Sequence, residues 1–531
     1  MTYSKEALDR KEKIRLLKEA WVIVYANNFR WKQDIKDINS KQSQAKDVAT
    51  MMENSCEKKF KTAWRLMSFK SHWKLAFWKI KDNTSEIQVC FVRDKVNLFT
   101  WKETVSDLEI WWESISAYKL MNKYVHVWDY IWVEWDLFET KHWELTIFVN
   151  EFRLLSKAVR PLPEKWHWVK DKEMIYRQRY LDLITNDDSY NRFVLRSKFI
   201  KTLRDFYHDN SFIEVETSIL WNAASWAAAK PFITHHNDFD EEFFLRISPE
   251  TSLKKTTVWR FEKVVEFAKN FRNEGSDPSH LQEFLMIEHY SAYWNFEDNI
   301  EFTEKMFDFI FDRIPELSKE VEIKDKQWNA RMVNFQTPWQ RIDYVKWVKE
   351  ACWLDVSDYK TWEEKRLMAD IKAKWIEFPN MEIMWVPTMI DYLYKKVLRP
   401  SIVWPAVIYN YPRTMQPLAR QSDNDAEIVE QFQVVVNGWE VIKAYSELVD
   451  PEVQIANFEA QWDALDRWDE EATSWDDDFV IAMEYWMPCQ SWWGMWIERI
   501  FSLLTWQENL RDVTLYPVMK SEKDGIEEIG E

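Results

Sequence analysis

Five glycines in a chain of 531 residues, set against 35 tryptophans, restrict the possible folds more than any other feature of this sequence. Tight hairpins and helix ends call for backbone at positive φ, which glycine reaches freely because it lacks a Cβ. Ordinary globular chains carry roughly 7% glycine. Glycine and tryptophan together fill 40 positions here, close to that share. Either the fold makes its turns almost without glycine, or many positions written as tryptophan hold glycine.

The length predicts two or three domains, and 46% hydrophobic with 30% charged residues describes a soluble globular protein. No run of about 18 apolar residues occurs, which argues against a membrane-spanning helix. The charged start MTYSKEALDRKEK argues against a secretory leader. Cys56, Cys90, Cys352 and Cys489 are widely spaced and form no CxxC pair, so they read as reduced thiols of a cytoplasmic protein. No HExxH spacing points to zinc. A net charge of −18 excludes a surface built throughout for nucleic acid. Between Glu57 and Lys81, however, Lys58, Lys59, Lys61, Arg65, Lys70, Lys74, Lys79 and Lys81 cluster. Such a patch suits a nucleic acid docked at one place, or else it is a solvated strand face.

The apolar spacing of residues 5–20 predicts an amphipathic helix. From about 60 to 150 come five short strands, with a helical piece over 104–124 between the third and fourth, the pattern of an OB-fold barrel. The expected organisation is an N-terminal helical extension (1–55), the barrel (56–155), a Pro-containing linker (156–185), an α+β domain with an antiparallel sheet (186–520) and an acidic tail (521–531). Within the larger domain, strands are expected at 243–247, 261–267 and 430–449. Helices are expected at 299–314, 360–400 (broken at Pro379 and Pro387), 452–467 and 477–485, with a last helix after a turn at 492–496.

Three segments carry the chemistry. In FRNEGSDPSHLQEF (271–284), Arg272 and Glu274 precede a polar loop and a returning strand. Arg272 can grip a phosphate or carboxylate in bidentate fashion, and Phe284 can stack on a purine. A surface hairpin with an ordinary ion pair is the other reading. In GWEVIKAYSELVDP (438–451), Glu440 and Glu447 interrupt an apolar strand, and two carboxylates beside a phosphate site suit Mg²⁺. Two surface carboxylates would give the same spacing. SWWGMWIERIFSLLT (491–505) opens an amphipathic helix whose first turn holds Arg499, within reach of a polyphosphate.

Taken in order, FIEVET (212–217), FRNE…HLQEF and WWGMWIER resemble the three signature motifs of class II aminoacyl-tRNA synthetases. RPLPEKWHW (160–168), RQRYLDL (177–183), AAAKPFITHHN (227–237), LRISPE (245–250), AYSELVDP (444–451) and LRDVTLYPV (510–518) narrow the resemblance to the lysyl-tRNA synthetase family over nearly the whole chain. The resemblance implies that Arg272 and Arg499 are catalytic and hold ATP phosphates, with Glu274, His280, Phe284 and Glu440 completing the ATP site. It implies that Glu250 and Glu288 receive the α-ammonium of lysine and that Glu447 and Tyr290 face its ε-ammonium. Glu440 and Glu447 would coordinate Mg²⁺, and Arg65, Phe77 and Gln88 would read the anticodon of tRNA(Lys) on the barrel. A homodimer is implied as well. The alternative is a catalytically inactive paralogue that only binds tRNA or a protein.

Departures accompany the resemblance. Ser218 stands where the first motif has proline, and Lys443 where many relatives carry asparagine. Trp64, Trp128, Trp132, Trp135, Trp143, Trp168, Trp226, Trp259, Trp486, Trp492, Trp496 and Trp506 stand where the family has glycine. Trp166, Trp439 and Trp493 read as true aromatic positions. The expectation is that most of the first set are glycines in the living protein, through a UGA codon read there as glycine. If so, a structure built on the written sequence should show indoles crowding the ATP pocket.

Overall fold

The computed structural model describes residues 3–28, 32–46, 60–100, 103–162, 171–222, 229–258, 260–324, 330–360, 363–379, 381–465 and 477–521. Trp166, Trp168, Trp226, Trp259, most of the linker core and the acidic tail lie outside the described residues. Two compact units divide the chain, one of residues 1–170 with 521–531 and one of residues 171–520. Residues 171–185, expected as the end of a linker, belong to the second unit as two short helices, Lys172–Arg177 and Arg179–Thr185.

In the first unit helix α1 (Lys5–Glu19) begins at Ser4, whose hydroxyl accepts from the Ala7 N–H. Five long strands follow: β1 (Phe60–His72), β2 (Leu75–Lys81), β3 (Glu86–Val92), β4 (Tyr130–Glu139) and β5 (Leu145–Ser156). β1 pairs antiparallel with β2 and β4, β2 with β3, and β4 with β5. β3 runs parallel to β5 and closes the ring. Helix α2 (Ala117–Tyr124) lies between β3 and β4 in sequence, which completes the order of an OB barrel. Alternation fills the barrel from within, with Ala76, Trp78 and Ile80 buried on β2 and Ile87, Val89 and Phe91 on β3. Only the second half of 104–124 is helical. Residues Asp107–Ile110 and Glu113–Ser116 form a hairpin instead, because Leu108, Ile110 and Ile115 follow a period of two.

The second unit is built on an eight-stranded sheet: β6 (Ile213–Glu214), β7 (Lys263–Phe271), β8 (Glu283–Ala292), β9 (Gln340–Asp343), β10 (Ala406–Pro412), β11 (Ile428–Val436), β12 (Trp439–Ser446) and β13 (Gln490–Trp496). Its order is β6-β7-β8-β13-β12-β11-β10-β9. β6 is parallel to β7 and β9 to β10, and the other neighbours are antiparallel. One face presents Val265, Ile287, Ala444, Trp493 and Met495 to a core shared with α3 (Asp187–Asp209), α5 (Phe296–Arg313) and α6 (Ile497–Leu504). The other face packs a second core that includes α4 (Glu250–Thr256) at its border. His289 on β8 lies in the first core, between Tyr207 and Asn299 at 2.9 Å each, and burial pushes its pKa down to about 3.

Two expectations are corrected. WWGMW is no turn but β13, a central strand whose near-continuous burial fits coverage on both faces. Pro387 opens the helix Val386–Leu393 and does not break it, since the first helical turn has no use for its missing N–H. Among the described residues no helix is long and apolar enough to cross a membrane.

Candidate active site

Strand alternation and register decide which side chains meet. Asn270 on β7 stands beside Phe284 on β8, Glu288 beside Gly494 on β13, and Gly494 beside Lys443 on β12. Tyr290, Trp492 and Tyr445 form the next row on the same face. Residues two apart on a strand share a face, so Lys443, Tyr445 and Glu447 point the same way.

At one end of this face lie the residues expected to bind ATP. Arg272, Glu274, His280, Phe284 and Arg499 line one cavity together with Trp496. The Arg272 backbone N–H donates to the Gln282 carbonyl at 2.9 Å, fixing the base of the 273–282 loop. Its guanidinium lies 5.2 Å from the Phe284 ring centre, so cation and aromatic platform arrive together. His280 is oriented by Asp277, whose carboxylate is 2.7 Å from Nδ1. Arg499, from the first turn of α6, donates to the Glu440 carbonyl at 2.8 Å. Burial lowers the pKa of both arginines, that of Arg499 to about 10, while Glu440 opposes the drop. The cavity itself measures only about 30 Å³. Small-molecule sites measure roughly 300 Å³ or more. The Trp496 ring, 5.1 Å from the Arg499 guanidinium, forms part of the cavity wall.

At the other end three carboxylates are buried. Glu250, Glu288 and Glu447 are at most 8% exposed. Ser248 Oγ donates to the Glu288 carboxylate at 3.0 Å and accepts from the Glu250 N–H at 3.1 Å, tying the start of α4 to β8. Asn270 Nδ2 (3.3 Å) and Trp492 Nε1 (3.1 Å) also donate to Glu288. The Tyr445 hydroxyl donates to Glu250. Lys254, one turn along α4, pairs with Glu447 at 2.5 Å and donates to the Leu448 carbonyl. Burial raises all three carboxyl pKa values, to about 8 for Glu288, where Glu250 adds repulsion, and to about 7 for Glu447. Burial thus disfavours the charged form of all three acids, and only Glu447 has a lysine, Lys254, against it. Lys443 reaches Gln416 at 2.8 Å, and burial lowers its own pKa against the pull of Glu440 and Glu250.

Sequence reasoning missed Ser248, Lys254, Asn270 and Tyr445. Two of them were within reach: Tyr445 is two residues from Glu447 on a strand, and Lys254 is four residues from Glu250 on a helix. The expected Mg²⁺ pair does not come together. Glu440 and Glu447 stand at opposite ends of β12, roughly 20 Å apart at about 3.3 Å per residue. No single ion spans that distance. Among the described residues no group of three or more His, Cys, Asp or Glu side chains is placed to hold a metal.

On the barrel, Phe77, Lys79 and Lys81 point outward from β2, and Gln88 is the cross-strand partner of Lys79. Phe77 is half-buried against an outer cluster of Cys90, Phe138 and Phe148, apart from the barrel interior. Gln88 accepts from Thr146, and Arg65 on β1 donates to the Tyr130 hydroxyl at 2.6 Å.

Residues 171–520 match the family of class II tRNA synthetases of the D, K and N group. A lysine–tRNA ligase of Thermotoga maritima is 35% identical over 519 residues, 98% of this chain and 97% of that protein. One of Carboxydothermus hydrogenoformans is 34% identical over 511 residues, covering 96% and 97%. One of Aquifex aeolicus is 37% identical over 462 residues, covering 87% and 73%. A catalytic sheet with this register, a barrel ahead of it and near-full-length similarity agree: the chain belongs to the class II tRNA synthetases, in the lysine–tRNA ligase family.

Proposed function

We propose that the face of the second unit activates L-lysine with ATP and passes it to tRNA(Lys), and that the residues described above divide the work. The observation that carries this reading is the buried trio Glu250, Glu288 and Glu447, of which Glu250 and Glu288 lie within electrostatic reach of Arg272, which lines one cavity with Arg499. Lysine brings two ammonium groups, and a buried carboxylate gains most from a cation that replaces its lost water. Glu250 and Glu288 receive the α-ammonium. Glu447, with the Tyr290 hydroxyl beside it, faces the ε-ammonium.

The lysine carboxylate attacks the α-phosphorus of ATP, the bond to the bridging oxygen breaks, and pyrophosphate leaves. Arg272 and Arg499 neutralise the charge that builds on the phosphoryl oxygens, and Phe284 holds the adenine. The terminal ribose hydroxyl of tRNA then attacks the carbonyl of the mixed anhydride and AMP departs. Mg²⁺ would supply further charge neutralisation, held by Glu440 and phosphate oxygens. One carboxylate suffices for such an ion because it keeps several non-protein ligands. Glu447 is then left to the lysine substrate, beside its ion pair with Lys254.

The barrel would carry the anticodon on Arg65, Phe77 and Gln88. Phe77→Ala is expected to weaken tRNA lysylation by about 1–3 kcal/mol, the worth of one base stack, while lysine-dependent ATP–pyrophosphate exchange is nearly unchanged. Equal loss in both assays would make Phe77 a purely structural residue. Ile213, Ile219, Leu220 and Ile233 are 40–59% exposed around the first motif, apolar surface that a second copy in a homodimer would cover. A cytoplasmic site of action suits the product's use in translation.

A pH dependence follows from Glu288. Its pKa is raised from an ordinary 4.5 to about 8, so between those values the folded protein holds a proton that the unfolded chain has lost. The stability this contributes is complete below about 4.5 and is lost as pH rises through 8. Lysine needs the ionised carboxylate, so binding below pH 8 releases that proton and affinity climbs toward pH 8. Calorimetry in buffers of different ionisation heat should find roughly one proton released near neutrality. A proton count of zero with flat affinity over the same range would refute the assignment of Glu288.

The second reading, an inactive paralogue, draws on the indoles that fill the site. Lysine-dependent ATP–pyrophosphate exchange by protein from its own cells separates the two, since an inactive paralogue gives none.

A further inference from the structure

Fifteen non-glycine residues among those described have positive φ, and nine of them are tryptophan. A residue type filling 35 of 531 positions would supply about one of fifteen by chance. A bulky side chain is disfavoured in this region because its Cβ crowds the neighbouring carbonyl.

The local hydrogen bonds say what each position is. At Trp21, Trp375 and Trp506 the residue after the tryptophan donates five residues back: Val22 to Leu17, Ile376 to Ile371, Gln507 to Ser502. The tryptophan itself donates three back, which together make the Schellman ending of a helix, where glycine is the usual left-handed residue. Trp353 closes the helix Tyr344–Cys352 at φ 58° with its N–H on Lys349. Trp111 and Trp112, at φ 51° and 65°, form the two-residue turn between Ile110 and Glu113. Positive φ at both positions is a type I′ turn, the site of Asn-Gly or Gly-Gly. Trp143, at φ 62°, is left-handed within the loop between β4 and β5, its N–H on the Thr140 carbonyl.

Side-chain environment separates these from other tryptophans. Trp21, Trp112, Trp143, Trp353 and Trp375 are 78–101% exposed, so their indoles bury almost nothing. Trp493 and Trp339 are at most 5% exposed, and each indole N–H donates, to Thr303 at 2.8 Å and to the Phe335 carbonyl at 3.2 Å. The first group behaves as backbone positions to which an indole has been attached, and the second as true core tryptophans. Trp492 and Trp496 are a third case, in extended strand over the catalytic face. The Trp492 ring leans over Gly494, where a Cβ would meet its Cζ2 at 2.9 Å, and its Nε1 occupies Glu288. Trp64, Trp132 and Trp135 also lie in strands.

We propose that the living protein carries glycine at seven of the nine left-handed tryptophan positions, Trp21, Trp111, Trp112, Trp143, Trp353, Trp375 and Trp506, and at Trp492 and Trp496 of the catalytic face, through a UGA codon that its cell reads as glycine. The helix-end and turn positions stand on backbone geometry alone, whereas Trp492 and Trp496 rest also on the lysine–ATP reading of the site. With glycine there, Glu288 is freed for an ammonium group and the cavity beside Arg499 opens to nucleotide size.

Peptide mass spectrometry of the protein purified from its own cells is the test. Peptides spanning 353, 375 and 506 should be lighter by one indolylmethyl-for-hydrogen exchange at each position, while those spanning 339 and 493 keep tryptophan. Tryptophan at 353, 375 and 506 overturns the proposal irrespective of any activity. For the catalytic face, the written chain and its Trp492→Gly/Trp496→Gly variant are compared for Mg-ATP binding by equilibrium dialysis. The variant should bind and the written chain should not. Native peptides with tryptophan at 492 and 496, or equal binding by both chains, overturn the active-site part.

Discussion

Arg272→Ala in the native protein should slow lysine-dependent ATP–pyrophosphate exchange about 10²–10³-fold, a loss of roughly 3–4 kcal/mol of transition-state stabilisation. Arg272 follows directly on β7, is braced by the Gln282 carbonyl and sits over the Phe284 ring, so its guanidinium is pre-positioned. Charge that appears only as the pentacoordinate phosphorus forms is met by a fork that needs no reorganisation. The loss should therefore fall mainly on kcat. Arg272→Lys keeps the charge without the bidentate geometry and should recover only part of the rate. A variant as fast as the parent would remove Arg272 from the mechanism, and a rise in KM alone would make it a binding residue.

Glu447→Gln should be of similar size but fall on the amino acid. Its carboxylate is 1% exposed, with Lys254 at 2.5 Å, and a neutral amide leaves two ammonium groups facing no charge. Removing one member of a buried ion pair costs about 3–5 kcal/mol, so kcat/KM for lysine should drop roughly 10²–10³-fold or more. The KM for ATP should stay near its original value. The parent protein should support exchange with lysine and give none with aspartate or asparagine, since neither supplies a cation to Glu447. Exchange driven equally well by aspartate would sink the lysine assignment, and a Glu447→Gln protein with unchanged lysine kinetics would locate the ε-ammonium elsewhere.

Much of this protein was legible in its residues. Alternating apolar positions announced the barrel strands, a local property of the chain, and the resemblance of FIEVET, FRNE…HLQEF and WWGMWIER, in that order, to the class II signature motifs announced the catalytic domain. Of the six residues expected at ATP, Arg272, Glu274, His280, Phe284 and Arg499 line one cavity, and Glu440 is not among its lining residues. The excess of tryptophan over glycine was also visible in composition alone.

Other features were decided by long-range pairing. Register between β8, β13 and β12 puts Glu288, Gly494 and Lys443 in one row, and no spacing along the chain encodes which strand lies beside which. The same pairing made a strand of WWGMW, which looks like a turn only while its neighbours are unknown. The length of β12 parted Glu440 from Glu447, since seven residues of extended chain are too far for a shared ion although they look close in sequence. Burial, a property of the whole domain, raised the carboxyl pKa values of Glu250, Glu288 and Glu447. Residue types along the chain thus set the local chemistry available to this protein, whereas the sheet set distance and desolvation, which depend on atoms contributed by strands hundreds of residues apart.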